Sequence, residues 1–316
     1  MKLSDLQVNG QVQLSEYPTQ LETHLSDKAL KKKLKKERRA LGEMQNTLYA
    51  HGKYSVLVCI QGMDTSGKDS LIREVFKDFN VRGVISYSFK KPSHKELQHH
   101  FLWRHQKALP ARGKYAVFNR SHYENVLISR VKPEIVLNEN LPHIKSLEEI
   151  TPEFWTQRLE QINAFEKTLH QNGCIIFKFF LHISKDEQKR RLLRRLETPS
   201  KHWKFSPEDL KDRELWDDYT QAYETAMSST SKAHAPWYVI PGDSKHLARL
   251  LVAQTIKKRM ATYTDIQNPS LPEELQAQLS SYKQQLEDSW WFQFFWLLHS
   301  EYWSEISDWV YVPDMG

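Results

Sequence analysis

Residues 56–70 read VLVCIQGMDTSGKDS. A run of strand-forming apolar residues gives way to a loop opened by Gly62, and Gly67-Lys68 closes that loop in the spacing GxxxxGK. Few folds accommodate this order. The strand has to be buried, the backbone has to turn tightly at both glycines with its N–H groups free, and a helix has to begin near Gly67 with the positive end of its dipole facing the loop. Such a loop is a P-loop, a cradle for phosphate. Lys68 has the stem to reach the outer phosphates, and Met63, Thr65 and Ser66 supply the cradling backbone between the glycines. The position after the lysine, usually Ser or Thr to hold magnesium, is Asp69, with Ser70 one residue later. A metal must then be held differently, and Asp64 inside the loop offers the hard carboxylate oxygen that Mg²⁺ prefers.

A net charge of +6 agrees with an anionic partner, whether phosphate, nucleotide, nucleic acid or an acidic surface. With 316 residues, 40% of them apolar, the chain can bury the core of one large α/β domain. Its two cysteines, Cys59 and Cys174, both fall in apolar runs and are expected buried and reduced, in a cytoplasmic protein. The first residues have neither the charged leader nor the apolar stretch of a signal peptide, and no run is long enough for stable membrane insertion.

Residues 1–27 carry little pattern and are expected to form an extended or partly ordered arm. From Lys28 the spacing of Leu30, Leu34, Leu41 and Leu48 predicts a helix ending near Gly52. Its early lysines and arginines suit either a solvated face or a basic rim that attracts a polyanion. VISYSF (Val84–Phe89) reads as the next strand, with Lys90 and Lys91 at the end where parallel α/β sheets place ligands. A helix should start after Pro92, capped by Ser93, and stop before Pro110. It carries Arg104, and His99, His100 and His105 in roles of packing or surface. YAVFN (Tyr115–Asn119) predicts a third strand that ends in Asn119-Arg120, where many P-loop proteins have an aspartate, followed by a helix bearing Glu124 and Arg130.

A helix from about Thr151 to Asn172 leads to CIIFKFFLHI (Cys174–Ile183), a strand fit for burial on both faces. Ser184 and Glu187 then form a capping-box pair, and Arg190, Arg191, Arg194 and Arg195 follow. Four arginines so spaced are too many for a packed face. They are either solvated or part of a lid, about 184–206, that clamps phosphate. A helix near Pro207, a last strand WYVIP (Trp237–Pro241) and a helix over 243–263 complete the domain at about residue 264. Five strands alternating with helices imply a parallel sheet covered on both faces. Residues 265–316 form a linker and an extension with five of the ten tryptophans, expected to dock on the core or on a second subunit, with contact at a membrane surface as the other reading.

Between about residues 30 and 262 the chain resembles the polyphosphate kinase 2 family. The likeness rests on GMDTSGKD, FLWRH followed by ALP, FNRSHYENV, the lid region ending in WKFSPEDL, and APWYVIP, all in the family's order. It implies a P-loop kinase fold related to thymidylate kinase, dependence on Mg²⁺, and phosphoryl transfer between inorganic polyphosphate and adenine or guanine nucleotides, in a homo-oligomer that has no use for nucleic acid. Members that take only diphosphates usually read FDRSWYN at the third motif. FNRSHYE, with Glu124, resembles the group that accepts both AMP and ADP, except that Ser70 stands where that group commonly has glycine. The residues themselves fit this chemistry. Asp64, Lys68, Arg120 and Glu124 are the candidate catalytic set, with Asp64 and Glu124 on the metal. Gly62, Gly67, Asp69, Ser70, Asn119, Arg130 and the lid arginines would hold phosphates, and Lys90 and Lys91 would line the path of the polyphosphate. An ATP-driven nucleoside monophosphate kinase would share these features. A non-catalytic nucleic-acid binder would share the charge, but no zinc motif or helix-turn-helix signature is present.

Overall fold

The computed structural model describes residues 2–288. Five parallel strands make one sheet in the order β2-β3-β1-β4-β5: β1 Ser55–Gln61, β2 Val84–Ser88, β3 Tyr115–Asn119, β4 Cys174–His182 and β5 Trp237–Pro241. Every residue of β1 is buried, as is every residue of β4 but the last, because parallel strands at the centre of such a sheet have helices on both faces. On one face lie α1 (Asp27–His51) and α2 (Lys68–Val75); on the other lies α3 (Pro152–Gln171). Helix α4 is Lys185–Leu196. After it come α5 (Glu208–Glu214), α6 (Trp216–Thr230) packed with α3, and α7 (Lys245–Met260) packed on α1.

The basic helix is built as its leucine spacing predicts. Ser26 caps its start by accepting from the Ala29 N–H, and Gly52 closes it in the left-handed conformation with its N–H on the Leu48 carbonyl. Leu30, Leu34, Leu41 and Leu48 are all buried. Gly42 is needed for close approach, since a Cβ there would lie 2.6 Å from the Asp78 carbonyl oxygen.

Three elements differ from expectation. The helix foreseen between Pro92 and Pro110 is two short turns, His94–Leu97 and Trp103–Gln106; the Ser93–Glu96 capping box completes the first locally, and the second turns His105 inward against the ring of Phe89, 4.3 Å away. The helix foreseen after β3 is a 3₁₀ turn, His122–Val126, broken at Leu127 (φ −105°, ψ −80°) before the short helix Ile128–Val131, because Ser121, His122, Tyr123 and Asn125 are all drawn into the interior. The first residues are extended, but they are also held down. Leu6, Val8, Val12 and Leu14 are buried, Gln7 pairs antiparallel with Tyr238, and the Val8 N–H reaches the Trp237 carbonyl, so the segment covers the open edge of β5.

The chain divides into two units after Asn268. The described part of the second holds the helices Glu273–Ala277 and Leu279–Glu287. The tryptophan-rich stretch lies outside the described residues. Among the described residues no helix is long and apolar enough to cross a membrane, and Cys59 and Cys174 are free and buried.

Candidate active site

The loops after β1, β3 and β4 meet at the carboxyl ends of the three central strands, the place where open parallel sheets bind ligands. After β1 the loop turns at Gly62 (φ +153°), at Thr65 (φ +64°) and at Gly67 (φ +102°). A Cβ on Gly62 would stand 2.8 Å from the Ser66 hydroxyl and 2.9 Å from the Leu181 carbonyl, so only glycine lets β1 and β4 come this close. Thr65 holds the left-handed conformation without glycine's freedom, a strain typical of ligand-binding loops.

Lys68 curls back into the loop. Its ammonium donates to the carbonyls of Gly62 (2.6 Å) and Met63 (3.2 Å) and is almost wholly buried. Burial, with the nearby charge of Arg120, lowers its pKa from 10.5 to about 8 despite the carboxylates around it. Arg120 follows β3 in the left-handed conformation (φ +62°). It places one nitrogen 3.3 Å from Asp64 and the other 3.7 Å from Glu124. Gly62, Met63, Asp64, Lys68, Arg120 and Glu124 thus surround one inner pocket.

The two departures from the usual P-loop pattern explain each other. Asn119 stands where an aspartate is common and Asp69 where a hydroxyl is common, and the Asn119 amide donates to the Asp69 carboxylate at 2.7 Å. The strand end thus meets a carboxylate in the first turn of α2. Burial pulls its pKa up, but the bond from Asn119 and the charge of Lys204, 3.6 Å away, hold it below the ordinary carboxylate range.

Outside the loop the site opens into a basic groove of about 580 Å³, against about 50 Å³ in the inner pocket. Lys90 and Lys91 line it, with Asn119, Asp69, Ser70 and Arg194. Lys201, Lys204 and Lys245 also line it. Lys245 is half buried, and burial together with Arg191 and Arg194 lowers its pKa from 10.5 to about 8. Cations crowded this closely repel one another until an anion lies between them.

Four of the expected phosphate ligands do other work. Arg191 is 3% exposed and spends its donors inward, on Glu187, on the carbonyls of Thr65 and Ser66, and on those of Gly242 and Asp243. It braces the P-loop from behind, and no donor is left over for a substrate. Glu187 is therefore committed to Arg190 and Arg191, and only half of the expected capping box forms: Ser184 caps the Glu187 N–H, while the Ser184 N–H goes to Asp243. Arg190 is exposed and paired with Glu187, away from the groove. Arg130 lies over the ring of Trp155 and lines neither space. Arg104 donates to the Lys90 carbonyl at 2.8 Å, so it shapes the groove's wall from below.

The inner pocket also contains Gln188, Asp212, Tyr219 and Tyr223, which the sequence reading missed. Asp212 is tied to Lys132 at 2.5 Å. A second omission is the fully buried pair Lys178–Glu166, at 2.6 Å. Its signal was present as one lysine inside an otherwise apolar strand.

The polyphosphate kinase 2 (PPK2) family model matches residues 24–269. An ADP-polyphosphate phosphotransferase from Rhodopseudomonas palustris is 45% identical over 250 residues, covering 79% of this chain and 86% of that protein. An AMP/ADP-polyphosphate phosphotransferase from Meiothermus ruber is 45% identical over 218 residues, 69% of this chain and 76% of the relative. The crystal structure of polyphosphate kinase 2 from Arthrobacter aurescens aligns with a TM-score of 0.79 at 33% identity, over 90% of this chain and 98% of that one. With the family model over residues 24–269 and relatives 45% identical over most of the chain, the chain belongs to the polyphosphate kinase 2 family.

Proposed function

We propose that this protein transfers the terminal phosphoryl group of inorganic polyphosphate to a nucleotide, with ADP and AMP both as acceptors. The observation that carries the proposal is the pairing of two anion sites of different build on either side of the P-loop. The basic groove is lined by Lys90, Lys91, Arg194, Lys201, Lys204 and Lys245, with Trp203 at its wall, and so many cations together suit a chain of identical phosphates. The inner pocket, at about 50 Å³, combines Lys68 and Arg120 with the aromatic and aliphatic walls of Tyr219, Tyr223, Leu127 and Ile128, which suits the phosphate end of a nucleotide.

Phosphoryl transfer needs little covalent help and much placement of charge. Lys68 and the loop N–H groups hold the acceptor's phosphates. Arg120, at the junction of the two spaces, faces the transferring oxygens as negative charge builds on them. Arg194, Lys204 and Lys245 hold the donor chain in line behind that group.

Asp64 and Glu124 fit a magnesium ion. Both face the inner pocket beside the same guanidinium, and among the described residues no group of three His, Cys, Asp or Glu forms a closed protein cage. Mg²⁺ commonly takes one or two carboxylates and completes its octahedron with water and phosphate oxygens. Held there, it would neutralise charge on the bridging phosphates. The dual acceptor follows from Glu124, whose counterpart in the resembling group accompanies use of AMP as well as ADP, and it accords with the name of the Meiothermus ruber relative.

The test is purified protein given Mg²⁺, polyphosphate and either ADP or AMP, with nucleotides separated by chromatography. ATP should appear from ADP, and ADP followed by ATP from AMP. Faster conversion of AMP with ATP as donor than with polyphosphate would make the protein a nucleoside monophosphate kinase instead.

A further inference from the structure

Beneath the site lies a charged cluster that no substrate can reach. Lys178 points out of β4 into the interior and Glu166 meets it from α3; both are 0% exposed. The three ammonium protons of Lys178 are all used, on Glu166 (2.6 Å), on the Tyr123 hydroxyl (2.8 Å) and on the Thr230 carbonyl at the end of α6 (2.8 Å). Glu166 accepts in turn from the Tyr123 hydroxyl (2.9 Å) and from Nε2 of His122 (3.1 Å). Burying two charges costs much desolvation, and such a pair seldom stabilises a fold more than an apolar plug of equal volume. What a buried network satisfied at Lys178, Glu166 and the Tyr123 hydroxyl supplies is direction, even though Nδ1 of His122 has no partner.

The direction matters because of where His122 and Tyr123 sit in the chain. They lie between Arg120 and Glu124, in a 3₁₀ turn that sends its middle side chains inward and leaves Arg120 and Glu124 at the pocket. One end of the turn is fixed where the Arg120 N–H meets the Ile60 carbonyl (3.1 Å), and the other where the Asn125 carbonyl accepts from Arg158 of α3 (3.3 Å). Between those ends Ser121 accepts from the side-chain amide of Gln61 in β1 (3.1 Å), and His122 and Tyr123 are bonded to the cluster. A shift of Glu166 or Lys178 therefore moves the two groups that face the phosphates.

We propose that Lys178 and Glu166 are positioning residues for phosphoryl transfer, acting through Tyr123 and His122 to set Arg120 and Glu124 against the transferring group. The inference rests on the phosphotransferase reading above. It separates two roles that a buried ion pair can play: a structural pair would alter melting and leave turnover per folded molecule alone, whereas a positioning pair alters turnover in folded protein.

The experiment is a double-mutant cycle on the full chain. Lys178→Met with Glu166→Gln removes both charges at once and leaves no lone buried ion. Tyr123→Phe removes one oxygen and serves if the first variant folds poorly. Circular dichroism and thermal melting establish folding, and kcat and KM are measured with polyphosphate and ADP. The expected result is a fall in kcat of about ten- to a hundredfold, with KM for both substrates little changed. In an Arg120→Gln background the same replacement should cost less, since one of the two groups it positions is gone. Equal fold-losses in the two backgrounds, or full kcat in the folded variant, overturn the positioning role while leaving the phosphotransferase reading intact. A wild-type protein that takes no phosphate from polyphosphate overturns that reading and the inference with it.

Discussion

Replacing Arg120 by glutamine should move two properties in opposite directions. In the structure Arg120 bridges Asp64 at 3.3 Å and Glu124 at 3.7 Å, so it occupies the same two carboxylates assigned to the metal. At an effective dielectric of ~20, unit charges at those distances attract by roughly 5 and 4.5 kcal/mol. Those are gross figures. The Arg120 side chain is 39% exposed, and solvent screening reduces the net attraction to about 1–2 kcal/mol. A divalent ion has to overcome that competition, so Arg120→Gln should bind it about 5- to 30-fold more tightly. Turnover should meanwhile fall by about a thousandfold or more, the usual worth of an arginine on a transferring phosphoryl group. Mn²⁺, which shares the octahedral oxygen preference of Mg²⁺, can be titrated into nucleotide-free protein and the free ion counted by electron paramagnetic resonance. The same preparations then give kcat. Equal or weaker Mn²⁺ binding in the variant would show that Arg120 does not compete for the metal site, and would remove Asp64 and Glu124 from the metal.

Three further outcomes follow from single residues. Because the ammonium form of Lys68 binds phosphate and its pKa in the free protein is lowered to about 8, kcat/KM for the nucleotide should fall as pH rises through about 8. Bound phosphate favours the charged form, so the fall in kcat should lie at higher pH, and coincident limbs would contradict the assignment. Glu124→Asn should reduce kcat/KM for AMP more than for ADP, by on the order of 1–3 kcal/mol in selectivity; an unchanged ratio means that Glu124 only neutralises Arg120. Arg191→Ala leaves Glu187 without its inward partner and frees four loop carbonyls, so it should destabilise the fold by about 3 kcal/mol, a loss readable in urea titration.

What the sequence made legible was whatever is local or wholly buried. Parallel strands at the middle of a sheet are apolar without alternation, so β1 and β4 were readable as continuous runs, and Gly62, Gly67 and Gly52 marked backbone that other residues adopt with strain. The helix breaks after Ser93 and Ser121 were not readable, because they depend on which side chains the interior accepts: His105 against Phe89 in one case, His122 and Tyr123 on Glu166 in the other. Arginine was misread for the same reason. Both Arg191 and Arg194 of α4 line the groove, but spacing cannot tell that Arg191 spends its donors on Glu187 and on the carbonyls around the P-loop. The groove itself joins Lys90, Lys204 and Lys245 from three separate connections, and only the folded sheet brings them to one edge.

Donor and acceptor in separate spaces that meet at Arg120 should respond separately to Arg194→Gln with Lys204→Gln in steady-state kinetics. Both residues line the outer groove and neither lines the inner pocket. With long-chain polyphosphate and ADP varied in turn, the account predicts that KM for polyphosphate rises about tenfold or more while KM for ADP stays within about twofold of wild type. The polyphosphate effect should shrink as salt is raised, since screening weakens the wild-type groove as well. A rise in KM for ADP equal to that for polyphosphate would contradict the account, because the lid cations would then hold the nucleotide and the two substrates would share one space.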